Sequence, residues 1–349
     1  MGIEFLKEGS GTFRSLFNKS KLIVFVFFLF TISISNYALA EIVVQDFRGK
    51  TIRLSKPAER VVCLIESALT GIYMLKQGHR VVGISTNVYT EGFYYSETFK
   101  YYADLDERIR LKRIPAVGNW ESVNVEKVLS LRPDLIIIWS SQTDAIQTFE
   151  KLGIPVYGVF ISKIEDVFKE IKDFGVMLDA KDRAEKLIQY SREEIKKIEE
   201  LGGKIKNPKK VFFSWAQHSF LQTSCRGSIV DELINKVGGI NICKGIEAES
   251  QILTMEKLIK LNPDVIVMWY AKSMSPENVK RNKQYRAVNA VKSGSIYQFS
   301  DTFFFDLWTL KFLYSMKFLA KAVYPEFYRF ELDKEKKKIM NFLYGKILQ

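Results

Sequence analysis

The chain has 349 residues, 47% of them hydrophobic and 13% aromatic, which is enough apolar material for a folded core and too much for intrinsic disorder. Its formal net charge is +12, but the basic residues are spread along the chain with no nucleic-acid-binding motif, so the charge reads as surface and solubility. Two histidines and the absence of Gly-x-Ser-x-Gly, Walker and Gly-x-Gly-x-x-Gly sequences argue against an enzyme, and without a Cys-x-x-Cys a protein-only zinc or iron site has little support.

Lys19 and Lys21 precede the uncharged apolar run Leu22–Phe30, and Ala38-Leu39-Ala40 places small residues at the two positions that a signal peptidase reads. This pattern predicts a signal peptide over residues 1–40, cleaved between Ala40 and Glu41. The run falls short of the ~20 residues of a membrane-spanning helix; an uncleaved N-terminal anchor is the alternative. No cysteine stands at the cleavage point, so a free periplasmic protein is expected rather than a lipid-anchored one. Cys63, Cys225 and Cys243 are too few for a disulfide framework and are expected as buried thiols.

After residue 41, two short alternating runs, Ile42–Gln45 and Thr51–Leu54, flank a Gly-containing turn and predict a β-hairpin. Arg60–Leu64 reads as a buried strand followed by a helix to Leu75, and Val81–Ile84, Leu135–Trp139 and Val156–Val159 read as further strands. Apolar strands alternating with amphipathic helices predict an α/β lobe with a mainly parallel sheet. From Asp182 to Leu201 the pattern changes. Ala184, Leu187, Ile188, Ile195, Ile198 and Leu201 recur at helical spacing in a Glu- and Lys-rich segment that contains no Gly or Pro, and Gly202-Gly203 ends it. Strand–helix alternation resumes at Val211. The predicted organisation is an N-terminal α/β lobe over 41–181, one long rigid helix over 182–203 and a C-terminal α/β lobe over 204–349, both lobes Rossmann-like. A single continuous helix offers few hinge dihedrals, so modest lobe movement is expected.

An internal repeat supports this division. Glu126-Lys-Val-Leu-Ser-Leu-Arg-Pro-Asp-Leu-Ile-Ile-Ile-Trp139 matches Glu256-Lys-Leu-Ile-Lys-Leu-Asn-Pro-Asp-Val-Ile-Val-Met-Trp269 without a gap. Each copy encodes a short helix, a proline that stops it and a buried strand ending at Trp. Asn124 and Thr254 are good N-caps, which sets Glu126 and Glu256 at the second helical position, where a carboxylate meets the helix dipole favourably.

On these residues the chain resembles the solute-binding proteins of ABC importers for siderophores, haem and cobalamin, whose two lobes are joined by one rigid helix. Asp46-Phe-Arg-Gly-Lys50 is similar to the family's opening hairpin, and Arg60-Val-Val to Arg80-Val-Val-Gly83 to its first strand–helix–strand unit. Val117-Gly118, Asn124-Val-Glu126 and Arg132-Pro-Asp134, with Gly238-Gly-Ile-Asn241, Thr254-Met-Glu256 and Asn262-Pro-Asp264, are similar to its two half-motifs. The resemblance implies a monomeric periplasmic protein that binds a metal chelate between the lobes, most simply a ferric siderophore or similar iron complex, and delivers it to a permease dimer and its ATPase. It implies that Glu126 and Glu256 dock into arginine pockets of the permease and that Trp120 stacks on ligand. Cobalamin, haem, a nickel chelate or a molybdate or tungstate oxyanion on the same fold, or a periplasmic sensor without transport, are the alternatives.

Ligands of open α/β sheets sit beyond the carboxyl ends of the strands. That rule nominates Glu66, Ser67, Trp120, Trp139, Ser140 and Ser141 from the first lobe, with Tyr89, Tyr94 and Tyr95 at its rim. From the second it nominates Trp215, His218, Arg226, Trp269, Tyr270 and the run Phe303–Phe305, with Phe304 at its centre. Where family members carry Ser-Pro and then Thr-Glu, this chain reads Ile65-Glu66 and Leu69-Thr70. A glutamate in the cleft opposes a strongly anionic siderophore unless it pairs with Arg226 or faces a cationic chelate. N-terminal sequencing of the exported protein should find Glu41 first and no lipid; residues 1–40 intact in the membrane fraction would overturn the expectation.

Overall fold

The structure, a computed structural model, describes residues 41–90, 98–217, 219–346 and 348. The expected signal segment, Tyr94, Tyr95 and His218 lie outside the described residues. Strands β1 (Ile42–Gln45) and β2 (Thr51–Leu54) form the predicted antiparallel hairpin. Its turn is organised by the buried carboxylate of Asp46, which accepts from the backbone N–H groups of Arg48 (2.9 Å), Lys50 (3.0 Å) and Gly158 (3.0 Å). The last of these bonds fastens the hairpin to the first lobe.

Strands β3 (Val61–Cys63), β4 (Val81–Ile84), β5 (Leu135–Trp139) and β6 (Val156–Val159) form a parallel sheet in the order β4-β3-β5-β6. In the second lobe β7 (Lys210–Ser214), β9 (Ile240–Asn241), β11 (Val265–Met268) and β12 (Ile296–Gln298) form another, while β8 (Gln222–Thr223) and β10 (Gln251–Ile252) pair apart from it. Read from the other edge the second sheet is β9-β7-β11-β12, the same order as the first. Parallel strands need crossovers, supplied in the first lobe by α1 (Glu66–Met74) and α2 (Val125–Ser130) with shorter helices; α3 (Ile164–Met177) and α4 (Lys181–Gly202) then run between the lobes, α5 (Ile229–Lys236) and α6 (Met255–Leu261) are crossovers of the second lobe, and α7 (Phe312–Val323) and α8 (Leu332–Tyr344) follow its last strand. The fold is two α/β lobes joined by α4.

The repeat seen in the sequence is a repeat of hydrogen bonds. Asp134 accepts from Arg60 N at 2.8 Å, and Asp264 accepts from Lys210 N at 2.9 Å, so each Pro-Asp pins the entry of its lobe's first strand. Arg60 and Lys210 also cap matching carbonyls, Leu131 O at 2.6 Å and Leu261 O at 2.9 Å. The residue before each proline, Arg132 or Asn262, turns left-handed at φ 48° and 47°. Proline disfavours the right-handed helical conformation at the residue before it, so the short helix stops and the chain turns into the strand.

Alternation along the strands divides the apolar core. Ile136 and Ile138 face one outer cluster and Ile266 and Met268 another, whereas Ile137 and Val267 both belong to a single cluster that runs through both lobes. Helix α4 is the spine of that cluster, through Ala184, Leu187, Ile195 and Ile198. Its 22 residues span about 33 Å. Further connections run between the lobes. Helix α8 reaches back to α1, where the Lys76 amino group donates to Tyr344 O and Arg183 donates to Phe342 O and Leu343 O. Tyr101 meets Phe303 and Phe304 with ring centroids 5.0 and 4.5 Å apart.

The cysteine expectation is corrected here. Cys225 and Cys243 form a disulfide, their Cα atoms 5.1 Å apart, and only Cys63 is a free buried thiol. Cys225 follows β8 and Cys243 follows β9, and a count of three could not show that these two loops meet.

A charge is also buried on α4. Glu194 is 1% exposed and bonds Lys317 of α7 at 2.6 Å, Lys197 at 2.7 Å and Lys338 of α8 at 3.1 Å, while Lys317 also bonds Glu335. Burial alone pushes the Glu194 carboxyl upward, but the hydrogen bonds from Lys197 and Lys317 outweigh it and hold the group at about 2. A carboxyl held below its unfolded value stabilises the fold at pH above that unfolded value. The contribution fades as pH falls from the ordinary glutamate range toward about 2. Glu194→Gln should therefore lower stability at neutral pH by on the order of 2 kcal/mol, after allowance for solvent around Lys197 and Lys338. Denaturant melts should show the wild type losing that advantage as pH falls through this window; parallel curves would remove Glu194 from the acid response.

Candidate ligand-binding site

A cavity of about 540 Å³ opens between the lobes at the carboxyl ends of both sheets. From the first lobe, β5 delivers Trp139 and the following Ser140 and Ser141, the residue after β6 is Phe160, and the turn after β3 begins α1 with Glu66 and Ser67. From the second come Trp269 directly after β11 and Trp308 in the segment between β12 and α7. With Trp120, four of the five tryptophans of the chain line one space.

Trp120 is carried by a loop built to present it. Gly118 stands at φ 146°, and a Cβ there would lie 2.6 Å from Ser122 O, so the loop requires glycine. Asn119 Oδ1 accepts from Glu121 N at 2.9 Å and Ser122 N at 3.1 Å, which leaves the indole between them projecting. Trp120 is 53% exposed and Phe160 51%, so both keep apolar area that a ligand could cover. On the opposite wall, Trp308 stacks on Trp215 at 5.8 Å and meets Trp269 edge-on at 5.6 Å. Trp215 stands behind that wall, with its indole N–H on Ser224 Oγ at 2.8 Å.

The charged groups among the described lining residues are carboxylates. Ser67 Oγ donates to Asp306 Oδ1 at 3.1 Å, joining the lobes at the cavity. Asp306 is buried, also accepts from Trp308 N at 3.0 Å, and has the fully buried Lys311 amino group at 3.3 Å. That amino group lies 4.0 Å from the Phe303 ring centre, and burial lowers its pKa against the opposing pull of Asp306. Glu66 accepts from Ser85 Oγ; burial raises its carboxyl, with the Ser85 hydrogen bond opposing.

Of the residues nominated from the sequence, Glu66, Ser67, Trp120, Trp139, Ser140, Ser141 and Trp269 line the cavity, and His218 lies outside the described residues. Arg226 does not reach it. The Arg226 guanidinium pairs with Glu247 at 2.9 Å, both side chains well exposed, because the backbone of this turn is bonded across to Ile246 and fixed by the adjoining disulfide. The pairing of Glu66 with Arg226 is thereby replaced by Glu66 with Ser85. Phe304 is 1% exposed, its ring against Tyr101 and the Lys336 amino group, and Phe303 and Phe305 are buried with it. Tyr270 packs half-buried against the main apolar cluster, and Tyr89 donates to Ile114 O. Residues unforeseen from the sequence include Phe160, Gln217, Glu121, Glu249, Asp306 and Trp308. The strand-end rule could have found Phe160; Asp306 and Trp308 follow the Phe run that drew attention instead.

The family description "Periplasmic binding protein" matches residues 61–302. The chain belongs to this family. Among its relatives, the uncharacterized ABC transporter substrate-binding lipoprotein YvrC of Bacillus subtilis (strain 168) is 26% identical over 298 residues, 82% of this chain and 87% of its own. A vitamin B12-binding protein of Yersinia pseudotuberculosis is 23% identical over 216 residues, 61% and 70% of the two chains. The solved structure of the molybdate periplasmic binding protein MolA of Haemophilus influenzae superposes with a TM-score of 0.73 over 88% of this chain and 99% of its own, at 17% identity. Helicobacter pylori CeuE, in a nickel–histidine complex, gives 0.71 over 87% and 96%, at 23% identity. At such identities the superpositions speak for the fold of this periplasmic binding protein.

Trp120→Ala should weaken binding of the chelate loaded by the native host by roughly tenfold, a typical cost for a stacking anchor, and Arg226→Ala should leave it unchanged. Titration of intrinsic tryptophan fluorescence checks both; equal losses in the two variants would contradict the placement of Arg226.

Proposed function

We propose that this chain is the substrate-binding component of an ABC importer. It is exported with cleavage after Ala40, takes a metal chelate between its lobes and hands it to a permease dimer driven by an ATPase. The observation that carries this reading is the cavity walled by Trp120, Trp139, Trp269 and Trp308 where both parallel sheets end. Its volume lies within the 300–1,000 Å³ typical of small-molecule sites, and flat aromatic walls suit a ring-bearing chelate better than a small oxyanion. The substrate-binding and vitamin B12-binding names of the relatives point the same way. The disulfide between Cys225 and Cys243 suits an oxidising compartment outside the cytoplasm.

Glu126 and Glu256 dock the loaded protein onto the permease in this reading. Each sits at the second position of its short helix, α2 or α6, behind a capping side chain: Asn124 accepts from Lys127 N at 2.9 Å and Thr254 from Lys257 N at 3.2 Å. Both glutamates are exposed, and neither carboxylate has a hydrogen-bond or ion-pair partner among the described residues. Helix-dipole stabilisation, about 0.3–1 kcal/mol, accounts for an acid at this position but not for its equivalent, unpartnered placement on both lobes. Two matching carboxylates suit a two-fold permease that offers one cationic pocket twice.

Changing both glutamates to arginine should leave chelate affinity and folding intact and abolish stimulation of the cognate transporter's ATPase in reconstituted membranes. Each single change should give a partial loss. Normal stimulation by the double variant would leave the helix dipole as the whole role of these residues.

A further inference from the structure

The charge of the cavity is one-sided. Glu66, Glu121, Glu249 and Asp306 line it, and among the described lining residues there is no lysine or arginine. Lys311 offsets Asp306 from behind, over the Phe303 ring, without lining the cavity. Glu66 is answered by a neutral hydroxyl, and Glu121 and Glu249 have no ion-pair partner among the described residues.

We infer that this site selects a chelate of net positive charge and discriminates against anionic chelates and oxyanions. The inference rests on the reading of the cavity as the ligand site. Three features carry it. The lining carboxylates repel an anion, and the low-dielectric tryptophan walls focus that field rather than screen it. The faces of the same tryptophans attract a cation within reach of their centres. Finally, the nine-residue α1, whose start opens on the cavity, has its first position filled by Glu66, so the positive end that could greet an anion there is already matched by a carboxylate.

The test uses chelates that differ in charge and little else. Ferrioxamine B is a cation through its free amine; acetylation of that amine makes it neutral and succinylation makes it anionic. Cobinamide supplies a second scaffold, dicationic with two axial waters and neutral with two cyanides. Fluorescence titration of the full mature chain at low salt should rank affinity by positive charge on any scaffold that binds, with roughly tenfold or more between cation and anion. Glu66→Gln should shrink that ratio severalfold, weakening the cation relative to the anion on the same scaffold. Equal or tighter binding of the succinylated form, with binding lost in Trp120→Ala, would overturn the charge inference and keep the site. Failure of both scaffolds in every charge state, or binding indifferent to Trp120→Ala and Trp308→Ala, would overturn the site reading and the inference with it.

Discussion

Glu194 is a carboxylate buried at the middle of the helix that joins the lobes, and the C-terminal part of the chain is arranged to answer it. An uncompensated charge there would cost several kcal/mol, so Lys317 from α7 and Lys338 from α8 must both be delivered to one place. Buried pairs of this kind add little net stability over apolar packing. Here the geometric consequence is larger, because satisfying Glu194 fixes how α7 and α8 lie against α4. With that register set, α8 reaches α1 of the first lobe, and the segment entering α7 brings Asp306 and Trp308 to the cavity.

The arrangement bears on motion. The lobes share α4, a continuous apolar cluster, the α8–α1 contact and the ring contacts of Tyr101 with Phe303 and Phe304. Hinge closure needs a few residues free to change dihedrals, and helix α4 offers none without breaking hydrogen bonds. As the proposed ligand site, the cavity is walled by rings that stand in place without ligand. Trp215 serves that preformation from behind the wall, and Gly118 and Asn119 serve it at the rim.

The same economy shapes the two half-repeats. Asp134 and Asp264 fasten equivalent strand starts, and the helices before them present equivalent glutamates, Glu126 and Glu256, to solvent. A duplicated scaffold places two like charges on two lobes, while the loops that line the cavity are free to differ. They do differ: the first lobe contributes Glu66, Ser67 and the projecting Trp120, the second the packed pair Trp269 and Trp308.

What the sequence determined by itself was local and periodic. The hairpin, the strands, the long helix and the half-repeat were legible because each rests on spacing within a short window, and the glutamates at helix starts because capping is a matter of neighbours. The strand-end rule found Trp139, Ser140 and Trp269 because the carboxyl end of a strand is itself local. What only tertiary structure decided depended on long-range meetings. Cys225 and Cys243 pair because two loops turn together, and Arg226 leaves the cavity because its turn offers Glu247 instead. Asp306 meets Ser67 of the other lobe at the cavity, across more than two hundred residues of sequence. Glu194 is the charged residue in the buried stripe of α4, and nothing within α4 reveals that it is buried; lysines more than a hundred residues later make that burial possible.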